Sequence, residues 1–212
     1  MNGTEMSFLS VIGKMGLTGQ SIAILIFILS IVAIFVFIDR LIALKMKGGD
    51  ELILAKVNEA ISTGNIESAK NVCQNNGSPL SRVLFKGISR IGMPLKDIEA
   101  SMDKAIDLEV FKMEKGEEIL GLISKLAPML GFIGTIAGVI QIFYTINATG
   151  DYNIESISGG LYVKMLTSAL GLTLGIFAYF FYFVVSRKIK KNIFILEQGS
   201  SEFIDSITSP LK

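Results

Sequence analysis

The chain has 212 residues, of which half are hydrophobic and only 18% are charged. An ordinary soluble domain carries about a quarter charged residues, so the balance points to a membrane protein. The net charge of +1 supplies no electrostatic footprint for nucleic acid. Histidine is absent and cysteine occurs once, which excludes an intrachain disulfide, a multi-cysteine zinc site and the commonest general base and pH switch.

Residues 1–20 form a short mixed N-terminal segment. Phe8, Leu9, Val11, Ile12 and Met15 line up as one apolar face for the membrane surface, or belong to a frayed tail; the sequence leaves both open. Residues 21–38 are apolar and uncharged, too long for a signal-peptide core, and no small-residue cleavage site follows. They read as the first transmembrane helix. Residues 39–118 are a large polar, helical region. Apolar residues recur at helical spacing from Asp50, and Gly64-Asn65 breaks the pattern before a second short helix near Ile66. Gly77-Ser78-Pro79 is a turn, and Gly92-Met93-Pro94 is another, with Pro94 well placed to start a helix. From Leu95 onward Pro128 is the one breaker in sight, so the spacing predicts a rod of roughly 75 Å whose inner half packs through Ile98, Met102, Ala105, Ile106, Val110 and Met113. The charges around that half read as a solvated face.

Residues 119–146 are the second span, 147–157 a short link, 158–186 the third span and 187–212 a polar tail expected to continue the third helix and dock on the rod. Both later spans exceed the roughly 20 residues that a bilayer needs. Neither holds a carboxylate. Lysines and arginines cluster after the first and third spans and are missing from the 147–157 link, which puts the N-terminus and the link outside and residues 39–118 and the tail inside. The Asn147-Ala148-Thr149 sequon is a chance-level match.

The motifs sit in the second and third spans. Gly131, Gly134 and Gly138 share one helix face with Thr135 beside them; Ser168, Gly171 and Gly175 repeat that spacing, with Thr167 adding a hydroxyl. Small residues at such spacing let helices pack closely in lipid. Hydroxyls there either bond their own helix's carbonyls or line a proton or water path. Pro128 is expected to kink its helix and free a carbonyl that must face protein or water. Lys164, about two turns inside the third span, either snorkels to the surface or pairs with an acid as an intramembrane charge.

The fourteen residues from Ala127 to Ile140 resemble the A-P-L-L-G-L-L-G-T-V-x-G-M-I segment of the MotA/TolQ/ExbB proton-channel family, and Leu166 to Gly175 is similar to that family's second conserved pattern. The three-span layout fits its ExbB/TolQ branch. The resemblance implies an all-α polytopic membrane protein with three transmembrane helices, two of them long and extending into the cytoplasm. It implies a homopentamer in the bacterial inner membrane, around a single-span ExbD- or TolR-like partner that supplies a membrane aspartate, with a TonB-like protein as a further partner. Membrane lipid surrounds it, and no cofactor, metal, nucleic acid or enzymatic step is implied. Thr135, and Thr167 or Ser168, match positions lining the family's proton route. The function it implies is coupling of proton-motive force to outer-membrane transport; a TolQ-like envelope-maintenance role, a gliding or secretion motor, and a passive helix-bundle scaffold are the alternatives. Two departures stand out. Val163 occupies a place where many members carry Glu, with Lys164 next to it, and Phe177 stands near a place where the family has Pro.

Overall fold

The computed structural model describes residues 17–45, 50–150 and 154–208, all of them helix or short connection. The described helices are α1 (Leu17–Ala43), α2 (Asp50–Ser62), α3 (Ile66–Asn76), α4 (Pro79–Ile88), α5 (Leu95–Glu114), α6 (Glu117–Thr149) and α7 (Ile154–Thr208). Three stretches are long and apolar enough to cross a membrane: Gly19–Ala43, Leu95–Thr149 and Ile157–Thr208, of 25, 55 and 52 residues. The all-helical class with two extended spans is therefore present. The surface-helix expectation for residues 6–15 and the acid Asp151 of the link lie outside the described residues.

The chain divides into two compact units. The first takes residues 1–39 and 116–184, and its described part holds α1, α6 and the first part of α7. Few side chains are buried in it, because these helices meet through small residues. Ala33, Leu120, Ala127 and Ala178 are fully covered, and Phe37 of α1 stacks on Phe181 of α7 with ring centroids 4.2 Å apart. The many large apolar side chains that remain exposed, among them Phe27, Phe35, Phe132, Ile140 and Ile176, suit contact with lipid or other helices rather than water.

The second unit takes residues 40–115 and 185–212. Its short helices follow the sequence punctuation closely. Gly64 and Gly77 adopt left-handed backbone, with φ of 71° and 66°, which an L side chain would strain. Asn65 caps α3 by accepting the Ser68 N–H at 3.0 Å, and Ser78 caps α4 by accepting that of Ser81 at 3.2 Å, with Pro79 in the first turn. The core joins α4, α5 and the end of α7. Leu80, Leu84, Met102, Leu196 and Phe203 are all covered, and Gly87 makes room for Met102 and Phe203 while Gly199 makes room for Leu80. The tail thus continues the third helix and docks on α5 as expected, and on α4 as well. Asn192 of α7 also donates to the carbonyl of Leu44, just past the end of α1, at 3.2 Å.

The rod expected to run unbroken from Leu95 is interrupted. α5 stops at Glu114, Lys115 leaves helical backbone, and Gly116 turns at φ +100° before α6 begins. A lone glycine flanked by Lys115 and Glu117 interrupts no hydrophobic pattern, so periodicity did not reveal it. The αL geometry that Gly adopts freely is the physical cause.

Candidate functional site: the seam between the second and third spans

The glycines of α6 and α7 face one another. A Cβ on Gly171 would stand 2.5 Å from the carbonyl oxygen of Ala127 and 2.9 Å from Cα of Gly131. A Cβ on Gly131 would stand 3.1 Å from both Cα and the carbonyl oxygen of Ser168. The obstructing atoms are backbone, so no rotamer change relieves them. Gly134 receives the methyl of Thr167 and the side chain of Ile22 from α1, each at 3.4 Å from the Cβ position, which brings all three spans together at one level. Gly175 is covered by the ring of Pro128.

Pro128 lies inside an uninterrupted helix. Having no N–H, it cannot serve the carbonyl of Ser124 four residues back. That oxygen lies 3.1 Å from where a Cβ of Gly175 would be. The freed acceptor is therefore turned toward α7, where a Cα–H can approach it. Protein answers the need created by the proline, and a polar lumen is not required for that purpose.

The polar groups are graded along this seam. Thr167 is sealed, at 1% exposure, whereas Thr135 and Ser168 are half-buried. The hydroxyl of Thr135 lies 3.2 Å from the carbonyl of Gly131 on its own helix and 3.4 Å from that of Lys164 across the seam, so the intrahelical bond and an inter-helix contact coexist. Thr173, by contrast, bonds the Ala169 carbonyl at 2.8 Å on an exposed face. Lys164 is buried, with its aliphatic stem laid across Gly138. The structure thus brings Pro128, Gly131, Gly134, Thr135, Gly138, Lys164, Thr167, Ser168, Gly171 and Gly175 into one interface. Among the described residues no cluster of acids, cysteines or histidines is fit to hold a metal.

A second polar constellation, in the other unit, escaped the sequence reading. Glu109 of α5 is buried and receives Arg82 of α4 in a two-pronged contact, Nε at 2.9 Å and Nη2 at 2.5 Å, together with Lys112 Nζ at 2.7 Å. Nη1 of Arg82 also donates to the carbonyl of Gly77 at 2.6 Å, closing the end of α3. Burial pushes the Glu109 carboxyl up, but the hydrogen bonds from Arg82 and Lys112 and their charges outweigh it and hold it below the ordinary range. Lys112, among the charges expected on a solvated face, is exposed yet belongs to this network. Residues 82 and 109 share no helical register, so only the fold pairs them.

Long apolar helices, acid-free in the second and third spans and closed by glycine contacts, define a polytopic helical membrane protein. The model of the MotA/TolQ/ExbB proton channel family matches residues 75–198, more than half the chain, and the chain belongs to that family. It is 28% identical over 142 residues to a putative biopolymer transport protein ExbB homolog of Methanothermobacter thermautotrophicus, covering 66% of this chain and 50% of that protein. It is 32% identical over 81 residues to an ExbB-like protein of Synechocystis, covering 37% and 32%. It is 23% identical over 117 residues to the Tol-Pal system protein TolQ of Haemophilus influenzae, covering 55% and 50%. The chain spans half or less of the length of these relatives.

Proposed function

We propose that the chain is the channel and motor subunit of an ExbB/ExbD-type complex, in which several copies enclose a foreign helix and proton flow drives rearrangement at the envelope. The observation that carries this reading is the absence of any carboxylate from residues 119–146 and 158–186, in a chain whose family conducts protons. Such a wall works only around a carboxylate borrowed from another protein. Thr135 and Ser168, half-buried at the seam's rim, are the hydroxyls available to it, while Thr167 supports the packing behind them. The resemblance supports a pentamer in the inner membrane, and the distribution of cations supports an outside N-terminus and an inside tail. Each charge crossing 100 mV releases about 2.3 kcal/mol, so a few protons per step suffice to repack a helix interface.

Outer-membrane transport with a TonB-like protein is the output we favour. The likeness to a TolQ protein supports envelope maintenance as a second reading. The test is proton flux into liposomes holding the chain with its single-span partner. Flux vanishes when the partner's membrane acid becomes Asn, and Thr135→Ala lowers it about tenfold, the effect of 1.4 kcal/mol on a barrier. Flux that needs no partner acid sinks the proposal.

A further inference from the structure

A polar cleft of about 310 Å³ opens in the second unit where α1 ends. Arg40, Lys45, Arg82 and Lys112 line it, and Glu109 is the single acid in its wall. Glu109 already accepts three donors, two from Arg82 and one from Lys112, so its charge is more than met. That network fixes Arg82 and Lys112 in place while leaving their side chains 47% and 61% exposed. A lysine ammonium has three donors, and Glu109 engages one of those of Lys112. Lys45, also exposed, lines the same space. The wall is pinned from α7 as well, where buried Asn192 holds the Leu44 carbonyl at 3.2 Å.

Four cations against one acid suit an anion, and N–H donors that line one space suit the oxygens of a phosphate. The volume falls within the range of small-ligand clefts, about 300–1,000 Å³. Position narrows the ligand further. Ala43 is the last residue of the first candidate span, so the cleft lies where that span ends. Anionic headgroups attract cations placed just beyond a span. Ala43 and Met113 add apolar surface beside the cations, which a free inorganic ion would not use. Asp39 and Glu114, next to lining residues in sequence, are not part of the wall. The side chains of Asp50 and Glu51 lie outside the described residues and enter the experiment as rivals.

We propose that this cleft binds the phosphate group of an anionic phospholipid, drawn from the leaflet at the end of α1. Lys45 and Lys112 meet the phosphate oxygens, Glu109 keeps Lys112 in reach, and the apolar wall receives the start of the acyl chains. The cleft takes residues from the end of α1 and from α4, α5 and α7, so a bound lipid ties the exit of the first span to the helices of its own unit. None of its residues belongs to the α6–α7 seam, and the site stands or falls independently of proton conduction.

The test titrates the full chain, purified in detergent, with dioctanoyl phosphatidylglycerol and counts bound lipid by native mass spectrometry. One lipid per chain binds, about tenfold more tightly than dioctanoyl phosphatidylcholine, which carries the same phosphate without net charge. Lys45→Gln and Lys112→Gln each weaken binding about fivefold, the share of one cation beside anionic headgroups, and Lys112→Arg keeps it. Lys45→Gln alters an exposed side chain, so its loss of binding does not come from unfolding. Lys96→Gln, about 24 Å along α5 from Lys112, changes nothing. Equal affinity for the two lipids overturns the proposal. A loss in Lys96→Gln equal to that in Lys45→Gln also overturns it, because diffuse surface charge then does the binding. Displacement of the lipid by equimolar inorganic phosphate assigns the cleft to a free ion and overturns the lipid source. Binding that appears only when Asp50→Asn and Glu51→Gln are combined overturns it too, because the chain's own acids then fill the cleft.

Discussion

The two units are held together by opposite means. In the membrane-type unit, backbone meets backbone: Gly131 and Gly171 leave no room for a methyl group, and stability depends on what is missing from the side chains. In the other unit, charge and capping do comparable work. Asn65, Ser78 and Arg82 each satisfy a helix end, and Arg82 also ties α4 to a buried acid on α5. The difference follows from the medium. In lipid there is no hydrophobic drive between helices, so close packing carries association. In water, short helices are marginal alone and need caps and cross-links.

That contrast is breakable at specific positions. The largest effect is expected from Gly171→Val. Its side chain meets the Ala127 carbonyl and the Gly131 backbone, which cannot swing aside, so the variant loses its folded state in detergent, as read by gel filtration and a thermal melt. Gly138→Ala sharpens the point, because the obstacle there is the flexible Lys164 stem. Its melting temperature falls less than that of Gly171→Ala, and the loss shrinks when Lys164→Ala is combined with it.

Next comes Arg82→Met, which strips a buried carboxylate of its two-pronged partner. With Arg82 half-exposed and Lys112 still present, a cost of about 2 kcal/mol is expected in denaturant unfolding. Its pH dependence has a defined sign. Glu109 is depressed in the folded chain, so its contribution is complete above the ordinary carboxylate value of 4.5 and disappears as pH falls below that toward the lower folded value. Glu109→Gln flattens this acid limb, and an unchanged acid slope in that variant contradicts the assignment.

The smallest effect concerns Cys73, in the core of the same unit. Burial raises its thiol to about 11, so the folded chain reacts slowly with a thiol reagent at pH 8 and the denatured chain rapidly. Equal rates show that α3 opens readily.

Much of the fold was legible because its decisive signals are local. Gly64-Asn65, Gly77-Ser78-Pro79 and Gly92-Met93-Pro94 each bring backbone chemistry that ends a helix wherever it occurs, and the structure places breaks at all three. The small-residue spacing of α6 and α7 likewise anticipated a close seam. What stayed hidden depended on partners distant in sequence or on geometry without a hydrophobic trace. The pairing of Arg82 with Glu109 needs the fold to bring them together. Gly116 breaks a charged stretch that has no periodicity to lose. Thr135 and Thr167 looked equivalent as letters, yet only the depth of packing separates a half-buried hydroxyl from a sealed one.

The carbonyl left by Pro128 bears on how such a subunit moves. Ser124 keeps its oxygen against α7 at Gly175, with the proline ring filling the same notch. Sliding α7 by one turn so that Tyr179 reaches the notch would drive a large side chain against Pro128, whereas the opposite slide brings Gly171 into the place of Gly175. The proline and glycine thus resist displacement of α7 in one direction and leave the other open.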